Sequence, residues 1–498
     1  MNDKIPIIKS ALIITIIGAI GRVLGFIREI VIADLFGIGI EADAYSIAMR
    51  LIGMISMLVH VYLTTIFVPT YARIKETRGE KMALWATNNA LGVSLFISII
   101  LMLLTWLIAP IGFDGLAIIA INIMIFQLPL LAFSQLFVGF LTARKSFIGP
   151  NAIGLPSNII FIVVIIILGT ASGVVGLSVA AVLSVLAQVI MLYIWSLFEK
   201  YRYKFVFKIN DPEIKSDMRL LFPAVLGGGL TGIQVWISTM VAARLDYGIP
   251  AAINYSTRLS GFVTSMVILP LVGIAYSYIS THAAKNDKKH MLDTLWTAVK
   301  VLLFIIIPIV VISMPRGFDL VKIVYERGEF DAYATVITGQ AFIWLLPSLA
   351  GIAISYLLAR FFYALKDTKT PMYSSIIIII IHIAFSIWLS QIWGIIGLAL
   401  AMSISSILAA CFLVILLRRK LGALGFKKTM IDIIKMLICA IPCAVSAFIT
   451  GQLINTGSII RFFISAIIGL IVYILSAFIL KEDIMQEALI LVHKKRKR

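Results

Sequence analysis

Two arginines lie within the first long apolar stretch of the chain. Five apolar or small residues separate Arg22 from Arg28, and Glu29 follows Arg28 directly. A charge near the centre of a bilayer costs about 3 kcal/mol on insertion scales, so such side chains usually face a water-filled cavity. Arg50 and Arg258 repeat the pattern in later apolar stretches. These arginines therefore predict a cationic cavity that binds an anionic ligand.

The type of these side chains favours a phosphate ligand. Arginine stays charged, and its planar guanidinium group donates paired hydrogen bonds to phosphate oxygens. On an ideal helix Arg50 shares a face with Asp43, and Arg258 shares a face with Asn254. If these two faces oppose each other, the arginines approach from opposite sides and together would hold a diphosphate.

The alternative is that each arginine is neutralised by a nearby acid. The pairs would be Arg22 with Glu29, Arg50 with Asp43, and Arg258 with Asp246. Local pairing explains one or two arginines better than all four, because the apolar stretches contain few acids. Arg360 is a weaker candidate, since it lies near the end of an apolar stretch where a long side chain can snorkel to the interface.

The composition is that of an integral membrane protein. The chain of 498 residues is 61% hydrophobic and 13% charged, whereas soluble domains are about 25% charged. A membrane span needs about 20 apolar residues, and the apolar stretches lack the alternating pattern of membrane β-barrels. We therefore predict an all-α protein with about fourteen transmembrane helices. They lie near 9–34, 41–71, 82–108, 115–143, 151–169, 174–198, 217–244, 249–281, 290–313, 332–364, 371–390, 395–417, 429–450 and 458–480.

The positive charge is concentrated in every second loop. The formal net charge is +18, and the intervening loops carry few basic residues apart from the mixed segment 316–331. By the positive-inside rule this pattern places both termini in the cytoplasm. We therefore expect a multi-pass protein of the bacterial cytoplasmic (inner) membrane. The basic tail 494–498 is read as a topology signal or a contact with anionic lipid, and nucleic acid is not an expected partner.

The second half of the chain resembles the first. Pro371 follows Pro150 by 221 residues, and Gly394 follows Gly173 by the same number. A second match, between Arg50 and Arg258, has an offset of 208 residues. An even number of predicted spans separates the matched positions, so the two copies have the same orientation.

This repeat predicts two parallel six-helix bundles followed by two further helices. The predicted regions are an N-lobe at 1–205, a C-lobe at 206–425, and helices 13 and 14 with the basic tail at 426–498. Transporters built from parallel repeats bind their cargo between the bundles and open alternately to each side. The sequence contains no metal-binding pattern and no group of catalytic residues, so we expect a transporter without a cofactor, driven by an ion gradient or by the membrane potential.

Several motifs resemble those of the MurJ family, the lipid II flippases of the wider multidrug/oligosaccharidyl-lipid/polysaccharide exporter superfamily. The resemblance extends over nearly the whole chain. The motifs that carry it are Arg22–Glu29, Phe36-Gly37, Asp43-Ala44, Phe67–Pro69, Tyr255–Leu259, Glu326–Phe330 and Arg360–Pro371.

The resemblance implies a fourteen-helix flippase with a central cationic cavity and a groove for the polyprenyl tail at the last two helices. The cavity arginines of the family correspond to Arg22, Arg28 and Arg258, and its following acid corresponds to Glu29. One departure is Ser56, which stands with Met57 where relatives carry basic residues. Arg50 lies about two helical turns earlier and would compensate in part.

The implied function is the transfer of undecaprenyl-diphosphate-linked peptidoglycan precursor (lipid II) across the cytoplasmic membrane by alternating access. Cell-wall synthesis or division proteins are implied partners. The alternatives are a flippase for another polyprenyl-diphosphate glycan, of the O-antigen, capsule or teichuronic type, and a cation-coupled drug exporter. A drug exporter would need buried acids, and a membrane glycosyltransferase would need a catalytic base and a larger external loop.

Overall fold

The computed structural model describes residues 4–113, 115–218, 221, 230–422, 424–425, 427–454 and 457–486. Within these residues the regular structure is helical, and the one β-bridge is the isolated pair Arg327 and Phe330. The predicted all-α class is therefore confirmed. Long runs of Ile, Leu, Val and Phe form these helices because a helix satisfies every backbone hydrogen bond within its own segment, which a bilayer requires.

The chain divides into two compact units, Met1–Ala251 and Ala252–Arg498. Besides the helical residues 212–218, the described part of the first unit contains ten α-helices and the start of an eleventh. They are α1 (Lys4–Phe36), α2 (Ile40–Val61), α3 (Val68–Arg78), α4 (Glu80–Gly112), α5 (Gly115–Met124), α6 (Gln127–Ala143), α7 (Ile148–Ala152), α8 (Gly154–Leu168), α9 (Gly173–Phe198), α10 (Leu230–Ala243) and α11 (Ile249–Val263). Residues 212–218 are also helical.

The second unit contains the rest of α11 and eight further helices of the described chain. They are α12 (Leu269–Ala284), α13 (Lys288–Ser313), α14 (Gly317–Tyr325), α15 (Ala332–Leu345), α16 (Ser348–Ala364), α17 (Lys369–Leu421), α18 (Lys427–Leu453) and α19 (Ser458–Ile479). The predicted lobe boundary at residues 205 and 206 comes from the sequence repeat and not from compactness, so it stays a prediction.

The described helices are consistent with about fourteen spans. Nine helical segments are individually long and apolar enough to cross a membrane, and two bent pairs, α5–α6 and α15–α16, each qualify as one further span. The 53-residue helix α17 is interrupted at Gly394, whose φ of 56° lies in the left-handed region. This break falls between two of the predicted spans, 371–390 and 395–417.

The predicted repeat has structural counterparts at the same offset of 221 residues. Helices α5 and α6 meet at 41° across a break that begins after Met124, and α15 and α16 meet at 43° across a break that begins after Leu345. Gly173 and Gly394 both have positive φ angles, 52° and 56°. Lys145 and Lys366, also 221 residues apart, have φ angles of 64° and 59°.

Within the second unit, α13 holds the last two helices through one stripe of side chains. Lys300 lies four residues before Phe304, so the two share a face of α13. The Nζ atom of Lys300 is 3.3 Å from carboxylate oxygens of both Asp432 and Asp483, and the ring of Phe304 lies 5.4 Å from that of Tyr473. Asp432 is thus engaged in an ion pair.

Candidate functional site

The first arginine-bearing helix, α1, lies very close to α8. A Cβ atom added to Gly21 would be 3.4 Å from the Cα atom of Gly154, so the two backbones approach where both helices have glycine. The Nδ2 atom of Asn158 donates to the carbonyl oxygens of Gly21, at 3.1 Å, and Gly154, at 2.7 Å. These contacts fix α1 next to Arg22, whose side chain is exposed.

Arg28 is held on two sides. Its Nη2 atom donates to Glu29 Oε1 at 2.9 Å, and its guanidinium carbon lies 5.3 Å from the ring centroid of Phe161 on α8. The Arg28 side chain is 16% exposed and that of Glu29 is 4% exposed. Phe161 also lies 6.1 Å from Tyr45 of α2, so one ring connects both arginine-bearing helices of this unit. The guanidinium is therefore oriented and partly neutralised, while part of it stays accessible.

Asp43, in the first turn of α2, is buried and binds backbone donors. Its carboxylate oxygens accept hydrogen bonds from the N–H groups of Gly248, at 2.5 Å, and Ala251, at 2.8 Å. These residues form the start of α11, whose N-terminal N–H groups favour an acidic partner. Gly248 has a φ of 82°, and an added Cβ would meet the carbonyl oxygen of Ile38 at 2.9 Å, so glycine is required there.

A cavity of about 650 Å³ lies beside Asp43 within the first unit. Its walls include Arg244 and Asp246 together with apolar residues of α2 and α10. Asp43 therefore has a structural role at this end of α2 and also borders open space. Its hydrogen bonds to Gly248 and Ala251 are contacts that the sequence patterns did not indicate.

The other predicted arginines lie deep within their helices. Arg28 is about 12 Å along the helix axis from Phe36, the end of α1, at 1.5 Å per residue. Arg50 is about 15 Å from Ile40, the start of α2, and Arg258 is about 14 Å from the start of α11. Arg50 and Arg258 are each partly buried. In a hydrocarbon layer about 30 Å thick these positions are near the middle of a span.

The surroundings of Arg258 in the second unit are well packed. Asn254 is 7% exposed, and its carbonyl oxygen accepts a hydrogen bond from Thr257. The ring of Tyr255 lies 5.6 Å from that of Phe330, the last residue of the Glu326–Phe330 motif. This contact packs the Tyr255–Leu259 motif, which contains Arg258, against the Glu326–Phe330 motif.

The two weakest predicted sites have local partners. The guanidinium of Arg360 is exposed and lies 5.5 Å from the ring of Tyr276 and 6.0 Å from that of Tyr363. The hydroxyl of Ser56 donates to the carbonyl oxygen of Gly53 at 3.0 Å. Ser56 supplies no cation, so the positive charge of α2 in this region comes from Arg50.

Sequence comparison identifies the family. Residues 32–468 match the sequence model of the family described as "Lipid II flippase MurJ". The chain belongs to this family. It is therefore an integral protein of the inner membrane, and the family consists of transporters of a lipid-linked substrate and not of enzymes.

Individual relatives of this MurJ-family chain agree with the match. The probable lipid II flippase MurJ of Treponema pallidum is 22% identical, over 84% of this chain and 83% of the relative. The corresponding protein of Rhizobium tropici is 26% identical, over 80% of this chain and 78% of the relative.

Two solved structures show the same fold. The "Lipid II flippase MurJ, inward closed conformation" superposes with a TM-score of 0.80 and 22% identity, over 95% of this chain and 100% of that chain. An inward-facing multidrug resistance MATE transporter superposes with a TM-score of 0.67 and 17% identity, over 84% of this chain and 99% of that chain. The MurJ-family chain thus has the fold that both share.

Proposed function

We propose that this chain is a flippase that transfers lipid II from the inner to the outer leaflet of the cytoplasmic membrane for peptidoglycan synthesis. The observation that carries the proposal is the oriented guanidinium of Arg28, held by Glu29 and Phe161 inside a span of a MurJ-family chain. A guanidinium at this depth is costly unless it serves a polar ligand or a polar cavity.

The diphosphate of the cargo is the group that these arginines suit. We propose that it binds Arg28, Arg50 and Arg258, with Arg22 nearby along α1. Phosphate accepts paired hydrogen bonds from guanidinium groups, and its negative charge offsets the cost of placing them in the membrane. Meanwhile the polyprenyl tail stays in the lipid, where we propose that it follows α18 and α19.

Alternating access would then follow from charge neutralisation. With the diphosphate bound, the arginines no longer repel one another, and the two halves of the transporter can close and reopen on the other side. We propose that an ion gradient or the membrane potential returns the empty carrier. We also propose that both termini lie in the cytoplasm and that enzymes of cell-wall synthesis or division accept the cargo.

The test is depletion of this protein in its host, in a background without a redundant flippase, with lipid II probed on the outer face of the membrane. Complementation compares the parent with Arg28→Ala and Arg258→Ala, and with Arg419→Ala, an exposed arginine near the end of α17, as the charge control. We expect the parent and the control to restore exposure of lipid II, and the other two variants to reduce it at least tenfold at equal protein level.

Two results would overturn the proposal. Normal exposure of lipid II after depletion would exclude this cargo. Full rescue by both Arg28→Ala and Arg258→Ala would exclude the arginines as the binding site while leaving the transport activity in place.

A further inference from the structure

The segment between α9 and the helical residues 212–218 is fixed to α4 as a non-helical strap. The strap comprises residues 201–208. The amide oxygen of Asn88 accepts hydrogen bonds from the Tyr201 hydroxyl, at 2.7 Å, and from the Lys204 N–H, at 3.2 Å. Asn89 pairs with both backbone groups of Lys208, accepting from its N–H at 2.6 Å and donating to its carbonyl at 3.1 Å.

One glycine of α4 lets the strap approach this closely. A Cβ atom added to Gly92 would be 2.0 Å from the carbonyl oxygen of Val206, a distance that no side chain can occupy. The strap and α4 thus touch through their backbones. A strap that is fixed in this way presents its remaining side chains in constant directions.

The exposed side chains of the strap are aromatic and basic. Phe205 is 70% exposed, and Phe207 is 40% exposed. Residues 200–208 include four basic side chains, all exposed, and no acid. They are Lys200, Arg202, Lys204 and Lys208. A surface that combines exposed aromatic rings with several cations is typical of segments that lie at an anionic membrane surface.

The position of the strap along α4 matches the edge of the hydrocarbon layer. A layer about 30 Å thick takes about 20 residues of helix, so counting back from Gly112 places its other edge near Gly92. The ring of Phe207 lies 5.0 Å from that of Phe96, which is itself 43% exposed. On the other side of this edge, the Nζ atom of Lys208 lies 5.7 Å from the ring of Trp85.

The lipid-facing surface of α4 continues directly into the strap. Exposed apolar side chains follow Phe96 along one face of the helix, at Ile99, Ile100, Leu103 and Leu107. Phe207 extends this apolar face, and the basic side chains of the strap lie next to it along the chain. Phe207 contacts Phe96 and Lys208 contacts Trp85, on opposite sides of the level of Gly92, and this matches the order of acyl chains and phosphates in a leaflet.

We propose that the strap is a binding site for anionic phospholipids of the inner leaflet. Phe205 and Phe207 enter the acyl region, and Lys204 and Lys208 bind the lipid phosphates. The assignment to the inner leaflet rests on the orientation proposed above. The site is separate from the arginines of α1 and α2, and its ligand is bulk membrane lipid and not the transported cargo.

The first experiment measures lipid retention by native mass spectrometry of the full chain. The protein is purified from nanodiscs that contain phosphatidylcholine alone or mixed with phosphatidylglycerol. The Lys204→Gln/Lys208→Gln variant is compared with Lys288→Gln/Lys289→Gln, two exposed lysines at the start of α13. We expect the strap variant to bind phosphatidylglycerol about 30-fold more weakly than the parent, from about 1 kcal/mol per lysine at an anionic surface. The control should match the parent.

The second experiment measures the depth of the strap. A fluorophore is attached at Phe205→Cys in a chain whose three native cysteines are replaced by alanine, and it is quenched with spin-labelled lipid or with aqueous iodide. We expect quenching by the lipid in the parent background and by iodide after Gly92→Ala. That substitution keeps every charge of the strap but removes the space for Val206.

Three outcomes would overturn the proposal. Equal loss of phosphatidylglycerol in the strap variant and the lysine control would show a nonspecific charge effect. Quenching by iodide alone in the parent background would place the strap in water. Displacement of phosphatidylglycerol by free pyrophosphate at equal potency would make this a soluble-anion site. Each of these results is measured on purified protein and is independent of lipid II exposure in the host. A failure of the strap proposal is therefore distinguishable from a failure of the proposed function.

Discussion

Neutralising Glu29 should have opposite effects on stability and on cargo binding. In the Glu29→Gln variant the side chain keeps an oxygen that can accept from Arg28, but it loses its charge. Hydrogen bonds to charged groups contribute about 1.5–3 kcal/mol, and we expect a loss near the lower end because the acceptor remains. The protein should therefore melt at a lower temperature than the parent.

Binding of a diphosphate should become tighter in the same variant. A phosphate on the far edge of the Arg28 guanidinium would lie about 7 Å from the Glu29 carboxylate, given the 2.9 Å pair and a second hydrogen bond of similar length. At an effective dielectric constant of about 20, the repulsion between them is about 2 kcal/mol. Its removal corresponds to about a 30-fold lower Kd.

The assay is titration of the purified protein in nanodiscs with undecaprenyl diphosphate, beside thermal melting of the same samples. Asp34→Asn is the control, because it removes an acid from the same helix five residues from Glu29. Our reasoning is refuted if Glu29→Gln weakens binding or leaves it unchanged while it lowers stability. That result would mean that the arginine serves only to balance the glutamate.

Three further predictions concern the scaffold. Asp43→Asn removes a charged acceptor from two backbone N–H groups and should cost about 1.5–3 kcal/mol, seen as a lower melting temperature; unchanged melting would contradict the capping role. Gly394→Ala should destabilise by about 1–2 kcal/mol, because its φ is positive; an added Cβ would meet no atom, so backbone strain is the only cost. Gly273→Ala, at an uncrowded position within a helix, should stabilise the protein slightly. Equal shifts of the melting temperature in the two variants would exclude backbone strain at Gly394. Burial alone raises the pKa of Asp367, but hydrogen bonds, chiefly from Lys420, outweigh it and lower the pKa to about 2. Asp367→Asn should therefore be less stable than the parent at pH 7, by a margin that shrinks as pH falls from 4 towards 2; a margin independent of pH would refute this.

The fold was predictable from the sequence because each apolar stretch is long enough to cross a bilayer on its own. Glycine and proline spacing also revealed the repeat, and the left-handed φ of Gly394 falls at one of its predicted positions. The bends in the α5–α6 and α15–α16 pairs were not predicted. Hydropathy averages over a window, so it does not respond to a break of two residues within a span.

The charged residues of the candidate site were predicted from the sequence, but the neighbouring residues that position them were not. Arg28 stood out because a cation is rare in an apolar stretch, but the sequence suggested Arg22 as the partner of Glu29, whereas in the structure Glu29 accepts from Arg28. Phe161 and Asn158 gave no signal, since one aromatic and one amide in a long apolar helix have many structural explanations. The contact of Asp43 with Ala251 joins residues 208 positions apart, a separation that no local pattern reports.

The matching bends also bear on how this protein arose. Angles of 41° and 43° at one constant spacing persist although few side chains are shared between the halves. Duplication of an ancestral half-length gene would supply two copies of one shape, and later substitutions would then change each copy independently. The leading helices differ in charge: α1 carries Arg22, Arg28 and Glu29, whereas the stretch Leu230–Ala243 of α10 carries no charged residue. A symmetric ancestor thus became a carrier whose two halves differ in charge, which suits a cargo that is charged at one end and apolar at the other.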